Sequence, residues 1–282
     1  MHERSPYVPV DGRPLRMSLG LRTLDLEGWL EVDGDRDGDL AAKQRLLADR
    51  HDDVVAHLPT GQDAAQEVLD LVVEWLESHH PRLARSPDPA LHPVDAAGRL
   101  VQEDLCVLTP HDATWRLTAA SVCSPSRWRL ADKMGASVGT IHDPVPDYHR
   151  RIGSLVDTTL DRLEPRRPLW RLNWTILDDP AAFQPSVASQ RGRRVADLAE
   201  LTFRVERQTL RRLPRTRAVL FTIRTYRTPL SDVVASPARA HDLAATLRTC
   251  SPALAEYKGW TSFLAPLIDT LEAVPVPDDE PG

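Results

Sequence analysis

Residues 169–177, LWRLNWTIL, alternate without a break: Trp170, Leu172, Trp174 and Ile176 fall on one side, Arg171, Asn173 and Thr175 on the other. A two-residue period is that of a β-strand, whose successive side chains point to opposite faces of a sheet. Two later runs share it. Leu201, Phe203 and Val205 alternate with Thr202, Arg204 and Glu206, and within 218–227 Val219, Phe221 and Ile223 oppose Thr222, Arg224 and Tyr226. Upstream, 100–108 and 114–122 are β-leaning runs joined by a Pro-His-Asp turn, which predicts a hairpin. The strands are short, and hairpin connections outnumber the regular helix spacings of a βαβ chain. The fold class expected is α+β with an antiparallel sheet.

Helical periodicity flanks this middle region. Apolar positions at Leu40, Leu46, Leu47, Val54 and Val55 predict a helix over 40–57, ended by Pro59. A second is expected over 64–79, with Val68, Leu71, Val72, Trp75 and Leu76 on one face and Pro81 closing it. A proline-rich connector covers 81–93. Between the hairpin and the strand at 169 lie a short basic amphipathic helix near 127–133 and a helix from about 146 to 163. Residues 231–273 form two or three helices with Trp260 and Phe263 as packing residues. Residues 1–20 are expected to be an irregular arm, 21–273 one domain, 179–194 a polar loop and 274–282 a disordered tail.

Composition narrows the function classes. The formal charge of −6, with both signs interspersed, gives no reason to expect nucleic acid. Three widely spaced cysteines (Cys106, Cys123, Cys250) indicate neither a disulfide framework nor a zinc site. No stretch is long and apolar enough to span a membrane, and the first twenty residues have no apolar leader core, so the expectation is a soluble, cytoplasmic protein.

Several motifs bear on chemistry. Asp33, Asp35, Asp37 and Gly38 fit the first half of an EF-hand loop, but its twelfth position is Gln44, which cannot supply the bidentate carboxylate. An acidic turn capping the next helix is the better reading. Gly135-Ala-Ser137-Val-Gly139 has the letters of a hydrolase elbow without the strand before it and helix after it. His79 and His80 sit at a helix end, where the dipole favours them. His142 stands apart, between a glycine-punctuated approach (Gly135, Gly139) and a rigid Asp-Pro-Val-Pro exit. A neutral imidazole held in a fixed direction is able to ligate a metal or haem iron. On local physics alone, a histidine that braces a proline turn is the better reading. Arg224, in the polar stripe of the last strand, either faces solvent or points into a polar cavity shared with Arg171 and Asn173.

At four blocks the chain resembles the α-subunit family of the haem-dependent oxidative N-demethylases. These are SVCSPSRWRLADKMG (121–135), IHDPVPDY (141–148), RPLWRLNW (167–174) and RVERQTLRRLPRTRAVLFTIRTY (204–226). The resemblance runs from about Met17 to Ala273. It implies a PAS-like haem-binding fold with helical additions at both ends, in which haem b and O2 oxidise an N-methyl carbon of a small amine and release formaldehyde. Electrons would come from a separate flavin and iron–sulfur reductase subunit, and a homo-oligomer is compatible with it. On this resemblance His142 becomes the axial haem and iron ligand, Arg127, Arg129 and Lys133 propionate contacts, and Thr222, Arg224 and Tyr226 the distal, catalytic pocket. The alternative it leaves open is a haem-binding PAS-type gas or ligand sensor without turnover.

Overall fold

The computed structural model describes residues 7–186 and 198–275. Its strands are β1 (Arg22–Thr23), β2 (Val55–His57), β3 (Asp104–His111), β4 (Thr114–Ser121), β5 (Leu169–Leu177), β6 (Thr202–Arg212) and β7 (Val219–Pro229). They make one antiparallel sheet in the order β1-β5-β6-β7-β3-β4-β2. The helices are α1 (Arg36–Asp49), α2 (His51–Val54), α3 (Gln62–His79), α4 (Pro93–Gly98), α5 (Val138–Ile141), α6 (Ser154–Arg162), α7 (Leu230–Val233), α8 (Pro237–Arg248), α9 (Pro252–Lys258) and α10 (Leu264–Glu272).

The period-2 pattern places each strand in register. Arg171 lies opposite Gln208, which lies opposite Ile223, and the next row on the same face is Asn173, Glu206 and Thr225. This will be called the front. On the back, Trp174, Phe203 and Trp260 stack at centroid distances of 5.3 and 5.8 Å, and α8 and α10 complete an apolar core over β5 and β6. A second back-face core joins α1, α3 and α4 to Leu105, Val107, Ala119 and Leu220. The β6–β7 hairpin tip is held there by Glu67 of α3, 1% exposed, whose carboxylate accepts from the backbone N–H of Arg215 (2.6 Å) and Thr216 (2.7 Å). A third cluster, on the front, packs Leu130, Val138 and Leu160 over Cys106, Leu108, Leu117 and Val219. Burial on both faces at about 25 cal/mol per Å² is the main source of stability.

Several expectations need correcting. The first helix begins at Arg36 and stops at Asp49; Arg50 leaves helical space (φ −144°), and Val55–His57, expected to be helical, pair with β4 instead. The β-branched Val54-Val55 pair and the nearby Pro59 favour that strand. The basic helix near 127–133 is only a 3-10 turn at Leu130–Asp132, because Arg127 adopts φ +65°. The helix expected from 146 opens as a π-turn at His149–Gly153 before α6. His92 and Pro93 start α4 in what was taken as connector, with the imidazole capping the helix and proline in its first turn. Residues 187–194 of the expected loop, 276–282 of the tail and the first six residues of the arm fall outside the described residues, while 179–186 is irregular as expected, with Gln184 buried.

Candidate functional site

Two contacts fasten the 123–149 segment to the front face. The buried Asp104 carboxylate accepts from Cys123 N (2.8 Å) and Ser124 N (2.9 Å), and the Arg204 guanidinium donates to the Ser124 carbonyl. Gly135, in the left-handed region at φ +75°, donates its N–H to Leu117 O at 2.8 Å, so the glycine is used to turn the chain back onto β4. Ser137 then caps α5, its Oγ accepting from Thr140 N. The GxSxG serine is a helix cap.

His142 closes this single helical turn. Its Nδ1 lies 2.8 Å from Val138 O, and a carbonyl only accepts, so Nδ1 carries the proton and Nε2 the lone pair. The double proline brings the chain round so that Tyr148, 4% exposed, stacks its ring on the imidazole at 4.5 Å and 6°. Burial holds the His142 pKa below the ordinary histidine value, and the nearby Arg171 and Lys133 charges add to the effect. A neutral ring of fixed tautomer and fixed plane results, with no hydrogen-bond partner on Nε2 among the described residues.

Beyond it lies a polar patch of the sheet. Arg171 Nε donates to Gln208 Oε1 (2.7 Å) and Nη1 to Leu19 O (3.4 Å). Glu206 accepts from Arg204 (3.1 Å), Asn173 (3.2 Å) and Gln208 (2.9 Å), and although burial opposes it, these donors keep the carboxyl below its usual pKa. At the far end Lys258, at the end of α9, donates Nζ to Trp174 O at 2.8 Å, and burial lowers its pKa to about 8. Ile223 is 9% exposed yet belongs to none of the three apolar clusters.

The other residues expected here are elsewhere or otherwise engaged. Lys133 supports the ledge, with Nζ 3.0 Å from Ile141 O. Arg127 binds Asp178 (2.7 Å) and Lys258 O (3.1 Å), tying the segment to α9, and Arg129 is exposed with no partner among the described residues. Thr222, Arg224 and Tyr226 occupy the back of β7, the face opposite to Ile223. Thr222 meets Thr209 (2.6 Å), Tyr226 donates to Glu31 (2.8 Å), and Arg224 pairs with Asp33 (2.6 Å) and Asp39 (2.8 Å). The distal-pocket assignment is thereby corrected: strand alternation turns these side chains away from His142. Asp33, the first of the EF-hand-like acids, and Asp39 just beyond them prove to be partners of the conspicuous arginine. Lys258, Glu206, Gln208 and Tyr148 were missed as site residues, and only the alternation of β6 hinted at two of them.

Residues 20–88 and 82–268 match the family described as haem-dependent oxidative N-demethylase, alpha subunit-like. The chain belongs to this family. Haem-dependence makes a specific demand on the family's fold, since the porphyrin brings four nitrogens and asks the protein for axial ligands. Among the described residues no group of three His, Cys, Asp or Glu side chains is arranged to hold a bare metal ion. His142, with its lone pair on Nε2, fits the single-ligand demand. An open cleft of about 500 Å³ at the other sheet edge holds His51, His57 and His92. His92 uses both nitrogens, accepting from Val94 N and meeting Gln62 at 2.8 Å, while His51 is bound to Asp95 at 2.8 Å. No helix among the described residues is long and apolar enough to cross a membrane.

Proposed function

We propose that this chain is a haem b oxidoreductase of oxidative N-demethylase type. In this reading residues 21–273 form one PAS-like cofactor-binding unit, and electrons arrive from a separate flavin and iron–sulfur reductase in the cytoplasm. The observation that carries the reading is the His142 arrangement: tautomer set by Val138 O, ring plane set by Tyr148, and Nε2 left over. Carbonyl bonding to the second nitrogen is how protein sites orient and strengthen an imidazole ligand.

When bound, haem would supply O2 activation and oxidation of the carbon next to an amine nitrogen, which leaves as formaldehyde. The chain's own part is binding, orientation and exclusion of water. His142 would supply the imidazole nitrogen that holds the iron, and because burial lowers its pKa that nitrogen stays unprotonated at neutral pH. Lys133 and Tyr148 hold the ledge in place. Ile223 keeps water from the sheet side, and Gln208 and Asn173 offer amides for a small polar substrate.

An absorption spectrum after haem-replete expression tests this directly. The intact chain should show a Soret band, and His142→Ala should lose it while keeping its far-UV circular dichroism. No Soret band in the intact chain defeats the proposal, and a wild-type spectrum in His142→Ala moves the ligand elsewhere. Consumption of O2 with a small secondary amine and a surrogate reductant then separates an enzyme from a sensor.

A further inference from the structure

We propose that Arg171 and Lys258 form a two-point anchor for carboxylate groups of a ligand bound over the polar patch on the front of the sheet. This rests on that patch being the cofactor site. The argument starts from what other screened arginines do here. Arg204 has Glu206, Arg207 has Glu31, Arg127 has Asp178, and Arg224 has both Asp33 and Asp39. Taking a guanidinium or ammonium out of water costs several kcal/mol unless an opposite charge and hydrogen bonds compensate, and these four obey that rule; Arg212, also buried, instead spends four donors on carbonyl oxygens and lies over the Trp115 ring.

Arg171 and Lys258 are less fully engaged. Among the described residues Arg171 hydrogen-bonds only neutral oxygens, of Gln208 and Leu19, and Lys258 only the Trp174 carbonyl, its ammonium lying over the Trp174 and Trp260 rings at 5.9 and 5.2 Å. The carboxylate between them, Glu206, is already engaged by Arg204, Asn173 and Gln208. An ammonium has three N–H donors and a guanidinium five, so each cation keeps donors in hand. Arg171 is carried by β5, and Lys258 meets the carbonyl of Trp174 three residues further along the same strand, a backbone spacing of about 10 Å at ~3.3 Å per residue. That spacing suits a ligand with two acidic groups better than a lone small anion, and it runs from the His142 end of the patch to the α9 end.

The carboxylates have two sources: the propionates of the cofactor, or an acidic amine substrate such as an N-methyl amino acid. One set of titrations separates them. Apoprotein is titrated with hemin and with hemin dimethyl ester, following the Soret band. If the anchor holds the cofactor, the wild type should prefer hemin by about tenfold or more, the size of one charge-assisted hydrogen bond. Arg171→Gln and Lys258→Met should each remove most of that preference, and Lys258→Arg should restore it. If the anchor holds the substrate, hemin and its ester bind alike. An N-methyl amino acid should then bind the haem-loaded protein at least tenfold tighter than dimethylamine by calorimetry, and the same variants should erase the difference. Equal binding of all these pairs in wild type and variants, with folded variants by circular dichroism, overturns the proposal. Failure of both porphyrins to bind the wild type defeats the haem reading instead. Calorimetry with glutarate on the haem-free chain then decides the anchor alone: binding that Arg171→Gln and Lys258→Met abolish upholds it, and no binding sinks it.

Discussion

On the back of β7, Arg224 finds two carboxylates within 2.8 Å, its neighbour Tyr226 finds a third, and the acidic 31–39 turn closes over both. On the front of β5, Arg171 finds an amide and a carbonyl, and no helix covers it with acids. Both arginines project from adjacent parts of one sheet, and both are largely screened from water. The difference shows how to tell a buried charge that holds a fold together from one kept for something else. A structural cation has its donors taken up within the chain, by carboxylates as for Arg224 or by carbonyls as for Arg212, while a binding cation is left with donors to spare.

That contrast is open to attack. The largest effect should come from Arg224→Met, which strands Asp33 and Asp39 beside the buried Glu103. Removing one member of a buried ion pair costs about 3–5 kcal/mol, so the urea midpoint should fall sharply. Whatever fraction remains folded should keep its Soret band. Arg171→Gln should do the reverse, and equal stability losses in both variants would erase the distinction.

Gly259→Ala comes next. Gly259 sits at φ +70°, and a Cβ there would overlap the Arg127 guanidinium that ties the 123–149 segment to α9. Strain of this kind costs about 1–3 kcal/mol, read as a lower thermal midpoint. An unchanged midpoint would mean that this tie does not brace the far end of the patch.

The smallest effect concerns pH. His92 is pushed down from 6.5 to about 4 by burial and by the stacked His57, so it is neutral in the fold where the unfolded chain would protonate it. Unfolding therefore takes up a proton, and this contribution to stability is intact above pH 6.5 and is lost as pH falls towards about 4. His51, raised by its bond to Asp95, works in the opposite sense: its contribution is present below pH 6.5 and lost as pH climbs through its raised value. His92→Asn keeps an oxygen to cap α4 and should flatten the acid side of the urea-midpoint profile. A profile unchanged from wild type would clear His92 of the effect.

Much of the fold was legible. The alternation at 169–177 marks β5 to the residue, and the 100–122 hairpin and α3 were foreseen nearly in place, because burial on one face writes itself into periodicity. What periodicity conceals is which face meets what. In β7 the polar stripe Thr222-Arg224-Tyr226 is the one buried on the back, while Ile223 on the apolar stripe lies opposite Gln208 in the polar patch. The cover is supplied by the acids of 31–39, nearly two hundred residues away, and local pattern carries no trace of that pairing. The His142 ledge was visible from its glycines and prolines. Lys258 was not, since the strand carbonyl it meets is 84 residues distant.

The outer edge of β5 is met by only two residues of β1, at Leu169 and Trp170. Further along, the carbonyl of Trp174 is taken by the Lys258 ammonium and that of Ile176 by the Trp260 indole N–H at 2.9 Å. Unpaired edge carbonyls are templates on which a second molecule adds its own strand. Two side chains from either side of one glycine therefore guard this sheet against self-association. Removing the Trp260 indole would be expected to free the Ile176 carbonyl and to show first as aggregation during expression.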